Sequence, residues 1–280
     1  MDTTEWGWET HDGLTIHART WAPAGAPKAA VCLLHGVGEH VDRYREAALA
    51  LTRAGYLLTG FDQRGFGRSD GPRGYVASAE DYFGDLDTFL EQVAGRHPGL
   101  PRFLYGHSMG AMLILAYTPL RSPTVAGVIA AAPGLRSPIT ARKGLVRLGR
   151  WLARLAPRLT LSHGIDPRTI SREPAVANLY RDDPLAHSLV TPAWGRTMLE
   201  LIDLALENAP RFPVPLLLMH GSEDPIASAS GSRLFAGLAP RERVTLQIWD
   251  GFRHELHTDP QKAQVFQAMI DWLDRQLEER

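Results

Sequence analysis

Very little in this sequence invites a disulfide, a leader or a membrane span. Among its 280 residues there is one cysteine, Cys32, so no internal disulfide can close. Cys32 lies in the apolar run AAVCLLHG and is expected to pack in a core rather than to react. No stretch approaches the roughly 18–20 uninterrupted apolar residues that a span requires. The opening MDTTEWGWETHDG is acidic and polar, without the basic and apolar regions of a secretory signal, so a cytoplasmic protein is expected. Excess charge of one sign is missing too. Lys and Arg number 30 against 31 Asp and Glu, a formal net charge of −1, so no nucleic-acid partner is expected. What remains is 44% hydrophobic and 22% charged, ordinary for a globular chain. The length suits one large α/β domain or a domain with an insertion.

Ligand-binding signatures are equally scarce. GFGRSDG has the spacing G-x-G-x-x-x-G rather than G-x-G-x-x-G, and no helix opens directly on it, so it does not read as a dinucleotide loop. His254-Glu255-Leu256-His257 falls one residue short of H-E-x-x-H, because position 258 is Thr258. No cysteine pair or carboxylate cluster has metal spacing, and no P-loop is present. Neither a metal nor a cofactor is expected.

The chain instead alternates short apolar runs with helical patterns. Residues 5–11 and 14–22 read as a strand pair turned at Asp12-Gly13. Buried strands are expected at 29–36 and 56–63, and further strands at 102–107, 125–133, 215–221 and 244–251. Helices are expected over 42–54, 79–96, 109–118 (stopped at Pro119) and about 261–278. This pattern implies a mostly parallel sheet with helices on both faces. Residues 134–212 break the alternation, with helical spacing and many prolines. The expected division is therefore a core over 1–133, a helical cap insertion over 134–212, and a second core segment over 213–280.

The strand at 102–107 runs into Gly106-His107-Ser108-Met109-Gly110, and a helix follows. Strand, G-x-S-x-G and helix together are the context of a nucleophile elbow. A serine in so sharp a turn would clash with side chains two residues away on either side, and glycine removes them. A nucleophilic serine also needs a histidine base and a carboxylate to orient it, in the chain order Ser, acid, His. The end of strand 215–221 offers Glu223 and Asp224, and the last strand is followed by His254, with His257 nearby. An oxyanion needs backbone donors. The N–H of Met109 follows the nucleophile, and Val37 N–H lies between glycines in the loop HGVGEH.

HGVGEHVDRY, FDQRGFGRSDGPRG, YGHSMG, GSEDP and GFRHELH together resemble the monoacylglycerol lipase and lysophospholipase branch of the serine α/β hydrolases, over about residues 20–278. LSHGIDPRTISREP and NLYRDDPL are similar to the cap of that family. The resemblance implies an α/β-hydrolase fold and an esterase cleaving monoacylglycerol-type lipid esters through an acyl-serine. It selects Asp224 over Glu223 and gives the triad Ser108, Asp224 and His254. It also implies a polar head-group pocket at Glu39, Arg43, Tyr180 and His257, whose side chains can all hydrogen-bond a diol. Two departures stand out: Ala111 where the family often has a glycine, and Arg253 where an aromatic often precedes the histidine.

RKGLVRLGRWLARLAPRL (142–159) sets Lys143, Arg147, Arg150, Arg154 and Arg158 on one side of a helix and Leu145, Leu148, Leu152, Leu155 and Leu159 on the other, with Pro157 ending it near Ala156. Two arrangements fit. The leucines pack down over the site beneath a solvated basic face, or the helix, 142–156, leans on an anionic lipid surface. The competing functions are a general carboxylesterase, a proline-type aminopeptidase using Glu173, Asp182 and Asp183, and a catalytically silent binding protein on a hydrolase fold.

Overall fold

A computed structural model describes residues 1–138 and 140–279. In chain order the strands are β1 Asp2–Glu9, β2 Thr15–Ala22, β3 Ala30–Leu34, β4 Leu57–Phe61, β5 Arg102–His107, β6 Gly127–Ala131, β7 Leu161–Ser162, β8 Leu189–Val190, β9 Leu216–Gly221 and β10 Val244–Trp249. The helices are α1 Arg45–Arg53, α2 Ala79–Arg96, α3 Met109–Arg121, α4 Lys143–Leu155, α5 Pro174–Arg181, α6 Pro192–Asn208, α7 Ala229–Leu238 and α8 Lys262–Glu278.

Eight strands form one sheet in the order β1-β2-β4-β3-β5-β6-β9-β10. β1, β2 and β4 pair antiparallel in sequence, and every other neighbour is parallel. β3, β4, β6 and β9 are buried along their whole length, as strands covered on both faces must be. One face packs Leu51 of α1 and Met269 and Trp272 of α8. The other packs Phe89 of α2, Ile114 of α3, Leu201 of α6 and Phe235 of α7. The mostly parallel sheet with helices on both faces, expected from the strand and helix pattern, is present, in the α/β-hydrolase architecture that the resemblance implies.

Three local departures have physical causes. The hairpin loop is wider than Asp12-Gly13: the strands end at Glu9 and resume at Thr15. Thr10 closes this loop, its Oγ1 donating to Asp12 Oδ1 and accepting from Leu14 N–H. α3 runs through Pro119 to Arg121 instead of stopping before it. All ten residues from Met109 to Thr118 are buried, so packing outweighs the one backbone bond that proline forfeits. α4 ends at Leu155 as Pro157 predicts, but its leucines divide: Leu145, Leu148 and Leu152 line an apolar cavity, while Leu155 does not. Trp151 is 56% and Leu155 64% exposed, and Ala153 is the buried residue of this helix.

Between β6 and β9 lie α4, the two-residue pair β7–β8, α5 and α6. α6 is not peripheral: Met198, Leu201 and Ala205 enter the same core cluster as α3. Ser108, Asp224 and His254 all follow carboxyl ends of parallel strands, β5, β9 and β10.

Candidate active site

Ser108 sits between β5 and α3 at φ 52°, ψ −110°, a conformation few residues other than glycine accept. A Cβ on Gly106 would stand 2.5 Å from Gly110 O, and one on Gly110 would overlap Leu34 O. Gly106 is therefore demanded by the turn itself, and Gly110 by the close approach of α3 to the end of β3. From the serine, Oγ lies 2.9 Å from His254 Nε2, and His254 Nδ1 lies 2.6 Å from Asp224 Oδ2. Asp224 Oδ1 accepts from Ile226 and Ala227 N–H, while Glu223 is exposed. Burial acts to raise the Asp224 carboxyl. The His254 charge and the bonds from His220, His254 and Ala227 N–H outweigh it and hold the group below the usual carboxylate range. Such a chain makes a serine nucleophilic: the imidazole takes its proton, and the carboxylate fixes and stabilises the imidazolium.

The HGVGEH loop is held at each end. His35 Nε2 accepts from Gln63 N–H, so its Nδ1 carries hydrogen and donates to Gly36 O. Glu39 Oε1 accepts from Gly36 N–H at 2.5 Å and from Tyr44 OH at 2.8 Å, and lies 3.1 Å from His107 Nδ1. Burial acts to raise Glu39, but His107, His257 and Arg43 together hold it well below the usual range. Gly38, at φ +75°, leaves room for the Tyr180 OH that donates to its carbonyl at 3.0 Å. Val37 lies between these anchors. Met109 is the first residue of α3, so its N–H has no acceptor within the helix. Its sulfur is gripped by Trp194 Nε1 at 3.3 Å.

Two cavities meet at Ser108, and Val37, His163, Ile165, Ile226 and His254 border both. The larger is apolar and encloses about 400 Å³, lined by Met109, Met112, Leu145, Leu148, Trp194, Met198 and Ile202 among others. The smaller, about 30 Å³, is bordered by Glu39, His107, Tyr180 and Glu255 on its polar side and by Pro167 and Ile170 on its apolar side. Of the four residues expected in a head-group pocket, Glu39 and Tyr180 border it. Arg43 and His257 stand behind. Arg43 Nε is 3.4 Å from Glu39 Oε2 and its Nη2 3.4 Å from Glu255 Oε1, with the guanidinium over the Tyr180 ring. His257 stacks on Tyr44 with centroids 4.4 Å apart, and burial pushes its imidazole down to about 4. Glu39, Glu255 and His257 bring potential ligand atoms within 4.8 Å of one another, but Arg43 already lies against both carboxylates.

Sequence reasoning passed over His107, Tyr44, Glu255 and His220. Three of them lie inside motifs already singled out, GHSMG, HGVGEHVDRY and GFRHELH, and His220 immediately precedes GSEDP. His107 and Glu255 meet partners 68 and 212 residues away, and Tyr44 and His220 meet theirs, five and four residues away, through turns outside any regular α-helix, which no local pattern reveals.

Comparison with known proteins gives the family. Residues 25–261 match the family described as serine aminopeptidase, S33. The monoacylglycerol lipase of Mycolicibacterium smegmatis is 30% identical over 93% of this chain and 93% of its own length. An uncharacterized abhydrolase domain-containing protein of Dictyostelium discoideum is 32% identical over 96% of this chain, which spans only 29% of that protein. The crystal structure of Paleococcus ferrophilus monoacylglycerol lipase, 30% identical, superposes with a TM-score of 0.83, covering 99% of this chain and 100% of that one. The chain belongs to this serine aminopeptidase S33 family, among its monoglyceride lipase-like members, and is a hydrolase.

Proposed function

We propose that the chain is a serine ester hydrolase for lipid esters with one fatty arm and one small polar alcohol, monoacylglycerols above all. The observation that carries this is the meeting, at the Ser108 hydroxyl, of a large apolar cavity and a much smaller one into which Glu39, His107, Tyr180 and Glu255 bring polar groups. The acyl chain takes the first and the alcohol the second. His254 removes the Ser108 proton as Oγ attacks the ester carbon, and then delivers it to the departing alcohol. Asp224 orients His254. The N–H groups of Val37 and Met109 receive the oxyanion. Water then repeats the cycle on the acyl-serine.

Glu39 borders the small cavity, and its buried Oε2 faces Arg43 Nε at 3.4 Å without a well-formed hydrogen bond, which leaves it capacity to accept from an alcohol hydroxyl. Tyr180 supplies the opposite wall, and Arg43 and His257 act from behind. Residues 134–212 serve as the cap. A peptidase reading fits less well. Glu173 caps α5, Asp182 is exposed and Asp183 holds His40. Glu39 and Glu255 do face the small cavity, but with Arg43 against both, an incoming α-ammonium would meet a neutralised pair.

A series of monoacylglycerols, p-nitrophenyl esters of rising acyl length and emulsified triolein tests the reading. Medium or long monoacylglycerols should exceed triolein in kcat/KM by more than about tenfold, since two further acyl arms have no place in the small cavity. Equal rates on triolein would overturn the proposal, and a preference for short acyl esters would favour a general carboxylesterase.

The partner of the cap is proposed to be an anionic lipid surface. Leu145, Leu148, Trp151, Leu155 and Leu161 are exposed. Leu145, Leu148 and Leu161 also rim the apolar cavity. Arg142, Lys143, Arg147, Arg150, Arg154 and Arg158 carry charge of one sign alongside them, with no Asp or Glu from 142 to 159. Co-sedimentation with phosphatidylserine vesicles should fall severalfold in the Arg147→Glu, Arg150→Glu, Arg154→Glu variant. Unchanged binding refutes the contact.

A further inference from the structure

Asp224 receives more than a three-residue relay needs. His220, on β9, is completely buried, and its Nε2 lies 3.1 Å from Asp224 Oδ2 and 3.0 Å from Ala227 O. A carboxylate and a carbonyl can only accept, so this Nε2 carries the hydrogen. Its other nitrogen, Nδ1, stands 2.7 Å from the hydroxyl of Ser232 on α7, also completely buried. Asp224 Oδ2 is the same oxygen that lies 2.6 Å from His254 Nδ1. A side chain that merely tied the loop after β9 to α7 could rest on Ala227 O, and Oδ1 is already taken by Ile226 and Ala227 N–H. His220 Nε2 reaches, beside that carbonyl, the one oxygen that grips the second imidazole.

We propose that His220 is a positioning residue that shares Asp224 Oδ2 with His254 and so tempers the hold of that carboxylate on the imidazole, with Ser232 fixing the His220 ring. The proposal rests on Ser108, Asp224 and His254 being the catalytic triad. No proton leaves His220. Its N–H draws part of the negative charge on Oδ2, leaving less to stabilise the imidazolium. Without that donor the carboxylate acts on His254 alone, and the imidazolium becomes harder to deprotonate. The other groups facing His254 are unchanged by this. They are Ser108, and His107 with ring centroids 5.0 Å away and Glu39 behind it. Glu255, next in the chain, turns toward Arg43.

The test is the pH profile of kcat/KM on a p-nitrophenyl ester. Rates are divided by the number of sites that a fluorophosphonate titrates, so that misfolded protein does not count. In His220→Leu the acid limb should move to higher pH by roughly half a unit to one unit. The side-chain amide in His220→Gln puts an N–H near the position of Nε2, and should return the limb to within about a third of that displacement. Ser232→Ala should move it in the same direction by less, and carries the test alone if the leucine variant leaves too few sites. A purely structural role would lower the number of titrated sites and leave the limb in place. An unmoved limb in both His220→Leu and Ser232→Ala, or equal movement in the Leu and Gln variants, overturns the proposal. Failure of the fluorophosphonate to label Ser108 in the wild-type chain would instead remove the triad reading, and this proposal with it.

Discussion

Replacing Ser108 by alanine should lower ester hydrolysis by about 10⁴- to 10⁶-fold while leaving the thermal midpoint nearly unchanged. The hydroxyl is the only atom lost, and its hydrogen bond is to His254, which keeps Asp224. The elbow itself is set by the backbone. Ser108 N–H bonds Ala131 O and Ser108 O accepts from Met112 N–H, contacts that alanine preserves. Alanine also accepts the positive φ of this position no worse than serine does. Fluorophosphonate labelling should vanish with activity. Turnover within tenfold of the wild-type rate would mean that another group attacks the ester, and would return the chain to the silent or non-esterase readings.

The second large effect is expected at Glu39, and on stability as well as rate. Its carboxylate is buried and answers four groups: Gly36 N–H, Tyr44 OH, His107 and Arg43. In Glu39→Ala all four lose that partner, and the Arg43 charge keeps only Glu255 among its carboxylates. Removing one member of such a buried arrangement costs about 3–5 kcal/mol. For a chain of this length that is a fall in Tm of roughly 5–9 °C by calorimetry. The loop bearing Val37 also loses the tie at Gly36, so kcat should fall by about 10²–10³ on every ester, p-nitrophenyl esters included. Glu39→Gln keeps an acceptor oxygen and should lie between. A loss seen only with monoacylglycerols, and only in KM, would reduce Glu39 to a head-group ligand.

Much of the architecture could be read from the chain because its signals are local. α2 occupies the expected 79–96 and β5 the expected 102–107, each marked by periodicity and by its flanking turn residues. Pro119 misled because its effect depends on surroundings. In a helix buried on every side, one missing N–H does not end the helix. The leucine stripe of α4 gave the right helix and left its covering undecided, since periodicity identifies a face but not what lies opposite. The order of Ser108, Asp224 and His254 was visible because each follows a strand. The roles around them were not. Tyr44 and His107 converge on Glu39 from positions 5 and 68 residues away, and His220 meets Asp224 only because the loop after β9 folds back. His257 illustrates the limit in the other direction. Its chemistry suits a diol, and its place is beneath the floor, against Tyr44.

The unbroken burial of α3 has a consequence for how the site comes apart. Amide hydrogens in a helix with no solvent face over ten residues exchange only when the whole domain opens, so the strained serine is fastened to the slowest-opening part of the molecule. α4, with Ala153 as its buried residue, stands at the opposite end of that scale. Floor and roof of the same chamber thus differ in free energy of opening: the roof can loosen and re-form many times while the nucleophile keeps its geometry.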